Sequence, residues 1–533
     1  MTSEINFDVK GFAVESLLNK VSRFTAGDIL VKYSRIKPEN IAVEFEGRQW
    51  SYAELNEEVN KFARSLIKLG ISRGDRVAIL SENRVEYCVA IYAVAKIGAI
   101  LSALNLRVTE RELRDNILLA TPEAILVSGP CYDQLYPILK DLPFLKNLIL
   151  LDNVNNKAVA KGIGYFNYID MISVEDPYEI YSDKIHMEDG VLILYTSGTT
   201  GSSKGAIISH RALIARAHLI ATTLKFTEDD TFIAWPPMCH MAAIEQIFAI
   251  HSLGGKVIIT SRFDPGQICE ILEKEPVGWL ILMPGTIQPL IDELKQRNTN
   301  VVGVKLVGDM ADLVPPEQLA EITSLLNAPF VNTYGSTETG SAPATNNLIP
   351  IGVTSYKLSK KESPFCEARI VDEAGNDLPI GVPGEVIVRG PTLFSGYWND
   401  PETNERDFRD GWFHTGDVLV RNPDGSLDFV DRLKYMIKSG GENIYPAEIE
   451  RVLKEYPGVQ EAVVVRKKDE KWGEVPKAFI AAEHEIDKKS LIDFCYQHLV
   501  RYKVPKSIEI IPLEKFPRNF MGKIMRSELE KMG

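Results

Sequence analysis

Short apolar runs alternate with amphipathic segments along most of this chain. The runs 76–80 and 124–127 have the length and composition of buried strands. Ser51 and Glu54 have the spacing of a helix-capping box, which predicts a helix from there through Leu69. Strand and helix patterns that alternate in this way are typical of α/β proteins. We therefore predict an α/β fold with a largely parallel sheet.

The pattern changes towards the end of the chain. From about Ala368, short apolar runs alternate with Gly, Pro and Asp turns, which predicts a β-rich subdomain. A cluster of glycines and charges then precedes a last stretch in which strand and helix patterns mix again. We place the domain boundary at this cluster, with an N-terminal domain at 1–431 and a C-terminal domain at 432–533.

Composition and charge exclude several classes of protein. A chain of 533 residues exceeds one compact core, and its net charge of −13 argues against a general nucleic-acid binder. The six cysteines form no C-x-x-C pair, which argues against a zinc site and fits reduced thiols in a cytoplasmic protein. The most apolar window, 87–106, contains Lys96 and predicts a buried helix. We therefore expect a cytoplasmic protein with no signal peptide, no transmembrane segment and no nucleic-acid partner.

A segment rich in hydroxyls and glycines, 195–205, follows the apolar run 191–194. Glycines let the backbone approach a ligand closely, Ser and Thr donate hydrogen bonds, and Lys204 supplies charge, so such a loop suits a polyanion. Its glycines and lysine do not have the Walker A spacing. Apolar residues recur at helical intervals between Leu213 and Leu224, which predicts that the loop joins a strand to a helix.

Other polar clusters suit nucleotide chemistry, although each taken singly has a simpler interpretation. Residues 334–340 combine an aromatic ring, hydroxyls and a carboxylate, which suits base stacking and Mg²⁺ binding, but also an ordinary turn. Asp417 follows a glycine and suits ribose hydroxyls, or is a turn aspartate. Residues 434–442 form a basic hinge or a solvated loop. His240 alone predicts a packed core histidine, and Lys523 alone predicts a surface charge.

Taken together and in order, these clusters resemble the adenylate-forming superfamily, which comprises acyl- and aryl-CoA synthetases, nonribosomal adenylation domains and firefly-type luciferases. The phosphate loop of that family is Y-T-S-G-T-T-G-x-P-K-G, and residues 195–205 match it with Ser203 in place of proline. The resemblance covers nearly the whole chain and is closest to the acyl-CoA synthetases. It implies two mostly parallel sheets plus a β-rich subdomain in the N-terminal domain, and a small mobile α/β C-terminal domain.

The resemblance also implies which residues bind ATP. Thr196 and Lys204 would act on the phosphates, and Glu338 would bind Mg²⁺. Tyr334 would pack on adenine, and Thr337 would contact the α-phosphate. The nucleotide contacts implied in full are Ser197, Thr199, Thr200, Asn332, Tyr334, Thr337, Asp417 and Arg432, the last two sharing the ribose hydroxyls.

A hinge and a second catalytic loop are implied in the C-terminal part. Asp431 replaces the leading glycine of the family's hinge motif, and Lys434 occupies the hinge position. The segment 438–446 resembles the loop that moves in for thioester formation, where Gly440 and Gly441 would line the channel for the thiol.

The implied reaction has two steps. A carboxylate oxygen attacks the α-phosphorus of ATP and expels Mg-pyrophosphate, while Lys523, which matches the family's C-terminal catalytic lysine, stabilises the developing charge. The C-terminal domain then rotates about Lys434, and the thiol of coenzyme A attacks the acyl-AMP and releases AMP. His240 matches a gate between the acid pocket and the thiol channel. The implied cofactors are ATP, Mg²⁺ and coenzyme A, the partner is a small carboxylic acid, and a homodimer remains an option.

Alternatives remain open for the acceptor and the acid. A stand-alone enzyme that loads an acid onto a carrier protein is the main alternative, while a luciferase-like oxygenase and an inactive nucleotide-binding relative fit less well. Segments that match the acid pocket carry few charges, which favours an apolar or aromatic acid. Asp309 departs from the family pattern. If its carboxylate faces the pocket, it favours an acid with a hydroxyl or amine, and if it faces solvent, it indicates nothing.

Overall fold

The computed structural model describes residues 23–152, 162–196, 203–440, 442–518 and 524–532. The chain forms two compact units. The first comprises Met1–Ala342, Leu348–Tyr356 and Pro391–Asn404, and the second comprises Pro343–Asn347, Lys357–Gly390 and Glu405–Gly533. The predicted boundary at 431/432 lies inside the second unit. That residues 432–533 form a mobile C-terminal domain stays a prediction.

The strands are numbered along the described residues. They are β1 Ile41–Phe45, β2 Arg48–Ser51, β3 Arg76–Leu80, β4 Ile100–Ala103, β5 Ala124–Val127, β6 Asn147–Leu150, β7 Gly164–Asn167, β8 Gly190–Thr196, β9 Lys204–Ser209, β10 Thr231–Ala234, β11 Lys256–Ile259, β12 Val277–Leu280, β13 Val304–Val307, β14 Phe330–Ser336, β15 Gly340–Ile349, β16 Lys361–Glu362, β17 Glu367–Val371, β18 Gly384–Arg389, β19 Phe408–Arg409, β20 Trp412–Arg421, β21 Leu427–Arg432, β22 Ile437–Ser439, β23 Glu442–Ile444, β24 Val459–Asp469, β25 Gly473–Ala482 and β26 Ser507–Ile510.

Helices separate many of these strands. The α-helices are Ala26–Ile36, Tyr52–Lys68, Val85–Ile97, Glu110–Ala120, Gly129–Leu135, Tyr168–Ser173, His210–Thr223, Met241–His251, Pro265–Leu272, Pro284–Arg297, Pro316–Leu326, Pro401–Asp407, Pro446–Lys454, Lys488–His498 and Arg526–Lys531. Short 3₁₀ helices lie at Tyr136–Asp141, Ala311–Leu313, Leu433–Tyr435 and Leu513–Lys515. No helix among the described residues is long and apolar enough to cross a membrane.

Two sheets organise the first unit. One has the strand order β7-β6-β5-β3-β4-β8-β9 and is parallel except for the pair β8–β9. The other contains the order β14-β13-β12-β10-β11-β1-β2, in which β1–β2 is antiparallel and every other neighbouring pair is parallel. Strands β3, β4 and β5 are almost wholly buried, as expected for parallel strands covered on both faces. The predicted α/β class with two mostly parallel sheets is confirmed.

The second unit contains a β-rich sheet and a smaller α/β sheet. The β-rich sheet has the order β17-β18-β20-β19, with β21 antiparallel to β20. The other sheet has the order β23-β22-β25-β24, with β26 parallel to β25. Its core includes Ile449 and Leu453 of the helix Pro446–Lys454, and Leu491 of the helix Lys488–His498. The predicted β-rich subdomain and small C-terminal α/β domain are therefore both present.

One local prediction is confirmed, one holds for the buried helix Val85–Ile97 but not for the rest of its window, and one is wrong. The predicted capping box exists, because Ser51 and Glu54 each accept the other's backbone N–H at the start of the helix Tyr52–Lys68. The window 87–106 is not one helix. The helix Val85–Ile97 ends at Gly98, whose φ of 74° lies in the left-handed region that favours glycine, and β4 follows. The segment after the phosphate loop forms β9 before the helix His210–Thr223 begins.

Stability should fall in mild acid because a buried histidine must stay neutral. His251 Nε2 donates to the carbonyl of Ala42 (3.1 Å), and Nδ1 accepts from the hydroxyl of Tyr92 (2.9 Å). Burial lowers the pKa of His251 to about 4. The unfolded histidine binds a proton near pH ~6.5, so its contribution is complete above that pH and is lost as the pH falls towards 4.

Between pH 7 and pH 5, the free energy of unfolding should fall in both proteins. We expect the fall to be about 2 kcal/mol smaller in His251→Gln than in the wild type. Denaturant titrations at the two pH values measure the difference. His218→Gln is the control, because His218 is exposed and should leave the wild-type loss unchanged. An equal loss in His251→Gln and the wild type would exclude this origin of the pH dependence.

Candidate nucleotide site

The phosphate loop connects two antiparallel strands. Thr196 ends β8 and lies opposite Lys204, the first residue of β9. The predicted ligands Ser197, Thr199 and Thr200 lie outside the described residues. The prediction that the loop joins a strand to a helix is wrong, because the chain first returns along β8 and enters the helix only at His210. The hairpin brings Thr196 and Lys204 together at one end of the sheet.

A later segment of the same unit packs along β9 and carries a tyrosine that the sequence analysis missed. The N–H of Ile207 donates to the carbonyl of Gly396 (2.9 Å), and the N–H of Trp398 donates to the carbonyl of Gly205 (2.7 Å). These bonds place Tyr397 beside Lys204, whose Nζ lies 4.9 Å from the centre of the tyrosine ring. A lysine over an aromatic face is a favourable cation–π contact.

Tyr397 also connects Lys204 to the predicted metal ligand. Its hydroxyl donates to Oε1 of Glu338 (2.8 Å). The backbone N–H of Phe394 donates to the carbonyl of Glu338 (2.8 Å), so both ends of this residue are held by the same segment. The side chain of Tyr397 therefore contacts both the cation of the phosphate loop, Lys204, and the carboxylate of the 334–340 loop, Glu338.

The 334–340 loop is stabilised by its own hydroxyls. The Ser336 Oγ accepts from the N–H groups of Glu338 and Thr339 (3.2 Å each), and the Ser336 N–H donates to Oγ1 of Thr339 (3.0 Å). Gly335 has no room for a side chain, since an added Cβ would lie 1.9 Å from the carbonyl oxygen of Gly340. Tyr334 and Thr337 are half-buried, which leaves part of each accessible to a ligand.

Asn332 and Asp309 fix the strand that enters this loop. Asn332 is buried, and its Oδ1 accepts from the N–H of Ala311 (3.1 Å). The N–H of Thr333 donates to the carbonyl of Asp309 (2.9 Å), and the hydroxyl of Thr333 donates to the Asp309 carboxylate. Burial raises the pKa of Asp309, and the hydrogen bond from Thr333 opposes that shift. The Asp309 carboxylate is therefore directed towards β14.

His240 lies at the end of a loop that one asparagine organises. The Nδ2 of Asn83 lies within hydrogen-bond distance of four carbonyl oxygens, those of Ala234 (3.1 Å), Trp235 (3.2 Å), Pro236 (2.9 Å) and Thr260 (3.2 Å). Its Oδ1 accepts from the N–H of Met238 (2.8 Å). Sequence analysis missed Asn83, because its partners are far away along the chain.

His240 itself is neutral at physiological pH. It precedes the helix Met241–His251, and its N–H donates to the carbonyl of Pro237 (2.9 Å). Burial lowers the pKa of His240 to about 4, and the charge of Arg107 adds to the effect. A cavity of about 620 Å³ adjoins the same loop and is lined in part by Met238, Cys239 and Arg107. The neutral imidazole can therefore accept a hydrogen bond, and the loop that precedes it borders this cavity.

The predicted ribose ligands are neighbours in the second unit. Asp417 on β20 and Arg432 on β21 face each other across the antiparallel pair, with the Arg432 Nε 3.2 Å from the Asp417 Oδ1. The Asp417 N–H donates to Oγ1 of Thr415 (3.1 Å), whose hydroxyl donates to the carbonyl of Val386 (2.7 Å). The Asp417 side chain is 8% exposed, whereas the Arg432 side chain is 40% exposed. A hydrogen-bond acceptor, the Asp417 carboxylate, and a donor, the Arg432 guanidinium, therefore lie side by side on β20 and β21, as the prediction of a ribose site requires.

The hinge segment is held on both sides of Leu433. The Oδ2 of Asp431 accepts from the N–H of Ala447 (2.8 Å), in the first turn of the helix Pro446–Lys454. The guanidinium of Arg466 donates to the carbonyl of Lys434. Asp431, the departure from the family's glycine, is therefore a helix-capping residue in this chain.

Of the three predicted site residues beyond the hinge, Gly440 alone lies among the described residues. It follows β22, its φ is 59°, and its N–H donates to the carbonyl of Trp472 (2.9 Å). Gly441 and Lys523 lie outside the described residues.

The residues present fit a magnesium ion that is held mainly by phosphate. Among the described residues, no group of three or more His, Cys, Asp or Glu side chains forms a metal cage. Glu338 is half-buried and uses Oε1 for Tyr397. Mg²⁺ in nucleotide enzymes needs only one or two carboxylates, because substrate phosphates and water supply its other ligands. Glu338 therefore suits Mg²⁺ that arrives with ATP.

Comparison with known proteins gives matches over nearly the whole chain. The model of the family described as AMP-binding enzyme matches residues 32–398, and that of the AMP-binding enzyme C-terminal domain matches residues 448–523. Feruloyl-CoA synthase of Amycolatopsis sp is 32% identical over 506 residues, which cover 94% of this chain and 97% of that protein. Indoleacetate–CoA ligase of Aromatoleum aromaticum is 30% identical over 505 residues, which cover 94% and 96%. ATP-bound MatB from Rhodopseudomonas palustris is similar in structure, with a TM-score of 0.81, 26% identity and coverage of 96% and 99%.

Proposed function

This chain belongs to the AMP-binding enzyme family, and on that premise we propose that it joins an aromatic carboxylic acid to coenzyme A through an acyl-AMP intermediate. ATP-dependent acyl/aryl-CoA ligase activity agrees with the matched family and with relatives named as CoA ligases or synthases. The observation that carries the proposal is the arrangement of Lys204, Tyr397 and Glu338, which brings a cation and a carboxylate to one side of the phosphate hairpin.

In the first step, a carboxylate oxygen of the acid attacks the α-phosphorus of ATP, and pyrophosphate leaves. Lys204 and Thr196 hold the phosphates at the end of the β8–β9 hairpin, while Thr337 contacts the α-phosphate and Tyr334 packs on adenine. Glu338 holds Mg²⁺, which neutralises phosphate charge when it is bound. Lys523 stabilises the charge that develops on the α-phosphoryl oxygens. The carboxylate of Asp417 accepts from the ribose hydroxyls, and Arg432 orients that carboxylate.

In the second step, the thiol of coenzyme A attacks the acyl carbon and AMP leaves. The part of the chain beyond Lys434 turns about that residue, so that Lys523 leaves and Gly440 and Gly441 line the path of the thiol. His240, being neutral, borders the acid without adding charge to the acyl-AMP. The cavity beside the His240 loop gives the thiol a place from which to approach.

The acid is proposed to be aromatic for two reasons. Of the segments that match the family's acid pocket, 238–243 and 283–286 carry no acidic or basic side chain apart from His240, 307–310 carries Asp309, and 336–342 carries the proposed metal ligand Glu338. With so few charges, these segments favour an acid with an apolar body. Two relatives are named for activating feruloyl and indoleacetate groups, both aromatic. The Asp309 carboxylate accepts a hydrogen bond from the Thr333 hydroxyl, so it does not contribute selectivity for a charged or polar acid.

A pyrophosphate-release screen tests the proposal. Short, medium, long, alicyclic and aromatic acids are supplied one by one with ATP, Mg²⁺ and coenzyme A, and the thioester is identified by mass. Aromatic acids should give pyrophosphate, AMP and acyl-CoA together. If pyrophosphate is released but no thioester of coenzyme A forms, and the acyl group is transferred to an added carrier protein, the enzyme loads a carrier protein and this proposal is wrong. Release only with straight-chain acids would contradict the aromatic substrate.

We expect Tyr397→Phe to reduce adenylation by about 10-fold, mainly by raising KM for Mg·ATP. The change removes one hydrogen bond to the Glu338 carboxylate, and a hydrogen bond to a charged group contributes about 1.5 kcal/mol. The aromatic face beside Lys204 remains, so the fold and the cation–π contact are preserved. Pyrophosphate-exchange rates at varied Mg·ATP measure the effect. Tyr178→Phe is the control, because this tyrosine is 74% exposed and the loss of its hydroxyl should not raise this KM. Equal effects of the two changes would contradict the role of the Tyr397 hydroxyl.

A further inference from the structure

An arginine with no exposed surface lies beneath the 334–340 loop. Arg216, on the helix His210–Thr223, has a side chain that is 0% exposed. Its Nη1 donates to the carbonyl of Thr337 (3.1 Å), its Nη2 to the carbonyl of Glu338 (2.8 Å), and its Nε to the carbonyl of Thr392 (2.7 Å). A single guanidinium therefore joins the loop of the proposed phosphate and metal ligands to the segment that carries Tyr397.

A buried carboxylate balances this arginine. Glu245, on the helix Met241–His251, has a side chain that is 3% exposed, and its Oε1 lies 3.4 Å from Nη1 of Arg216. Its Oε2 accepts from the hydroxyl of Ser341 (3.1 Å). Glu245 thus connects the helix that begins after His240 to the middle of the loop through Arg216, and to the residue that follows the loop, Ser341, directly.

The loop is built around this pair. Gly340 has a φ of 70°, and an added Cβ would lie 2.6 Å from the Glu245 Oε1 and 2.8 Å from the Arg216 Cδ. Burial lowers the pKa of Arg216, and the charges of Glu245 and Glu338 oppose that shift. The guanidinium therefore interacts electrostatically with the proposed metal ligand as well as holding its carbonyl.

We propose that Arg216 and Glu245 are positioning residues for the Mg·ATP site. Arg216 fixes the main chain of Thr337 and Glu338, and Glu245 neutralises the guanidinium so that it does not repel the metal ion bound at Glu338. This inference rests on the proposed function, which places Mg²⁺ at Glu338.

The physical argument concerns charge in a dry environment. Two positive charges a few ångströms apart repel each other much more strongly in a protein interior than in water. Burial raises the pKa of Glu245, and the charge of Arg216 opposes that shift. An ionised Glu245 leaves the pair with little net charge while Arg216 supplies hydrogen-bond donors to the loop. Without the carboxylate, the same guanidinium would oppose a divalent cation and compete with it for the negative charge of Glu338.

The experiment measures ATP affinity by calorimetry with and without Mg²⁺. In the wild type, Mg²⁺ should tighten ATP binding. Glu245→Gln is expected to reduce that tightening about 10-fold, because the glutamine keeps the shape and removes the charge. Arg216→Lys should give an intermediate loss of Mg·ATP affinity, since an ammonium cannot reach three separated carbonyls as a guanidinium fork does. The KM for the acid should stay within about 3-fold in both variants.

A third variant guards against misfolding, because removing one member of a buried ion pair destabilises a protein strongly. Arg216→Met combined with Glu245→Met removes both charges and keeps the interior apolar. We expect it to fold and to raise KM for Mg·ATP about 10-fold, since the carbonyls of Thr337 and Glu338 lose their donors. The matched control is Arg297→Met with Glu293→Met, a partly exposed pair on the helix Pro284–Arg297.

The outcomes separate the inference from the proposed function. If the folded double variant binds Mg·ATP like the wild type, or if its melting temperature falls while its KM for Mg·ATP is unchanged, the pair is structural only and the inference is wrong. If the wild type itself does not bind Mg·ATP, the proposed function fails and the inference fails with it. A loss of Mg·ATP affinity in the variants, with a wild-type response of the control pair, supports the inference.

Discussion

Lys523→Ala is expected to reduce acyl-AMP formation by about 100-fold or more, while thioester formation from supplied acyl-AMP stays within about 3-fold of the wild type. The lysine supplies positive charge where negative charge accumulates in the first transition state, on the α-phosphoryl oxygens. In the second step the thiol attacks the acyl carbon and not the phosphorus, and in the proposed mechanism Lys523 has by then left the site. The two steps therefore differ in their need for this side chain.

The two half-reactions are measured separately. Acid-dependent pyrophosphate exchange reports adenylation, and the release of AMP from synthetic acyl-AMP with coenzyme A reports thioester formation. Lys531→Ala is the matched control, because that lysine is exposed, lies in the same C-terminal segment and pairs only with Glu528 among the contacts described. Equal loss of both half-reactions in Lys523→Ala would show that the lysine supports the fold or both steps, and would contradict the assignment.

Buried parallel strands were predictable because parallel strands in covered sheets are apolar on both faces. The runs at Arg76–Leu80 and Ala124–Val127 have the same bounds in the structure as in the sequence pattern. The segment Lys204–Ser209 was not recognised, because it begins with the lysine of the phosphate motif and passes directly into a helix. Its identity as a strand depends on pairing with β8, which only the folded chain supplies.

The candidate site was predictable only where a local motif marks it. Glu338 and Lys204 belong to short patterns that resemblance identifies, whereas Tyr397 lies in a turn with no such pattern. Arg216 and Glu245 are single charges on helices, where a solvent-exposed position is the ordinary expectation. Their importance comes from contacts between residues that are far apart in sequence, 122 positions in the case of Arg216 and Glu338. Such contacts leave no signal in one sequence.

Gly441→Leu is expected to have the opposite effect to Lys523→Ala. In the proposed mechanism the thiol arm of coenzyme A passes close to the backbone at this position, and a leucine side chain would occupy that path. We expect thioester formation from supplied acyl-AMP to fall by about 100-fold, because a small misplacement of a reacting group costs that much in rate. Adenylation should remain within about 3-fold, since the attack on ATP does not involve the thiol.

The control for Gly441→Leu comes from a strand of the smaller α/β sheet. Lys467→Leu introduces the same side chain on β24, at an exposed position outside the loop at 438–446. It should leave both half-reactions near wild-type rates. If Gly441→Leu slows adenylation as much as thioester formation, the position supports the hinge and not the thiol path. If it slows neither, the loop at 438–446 does not border coenzyme A, and the two-conformation mechanism loses its second site.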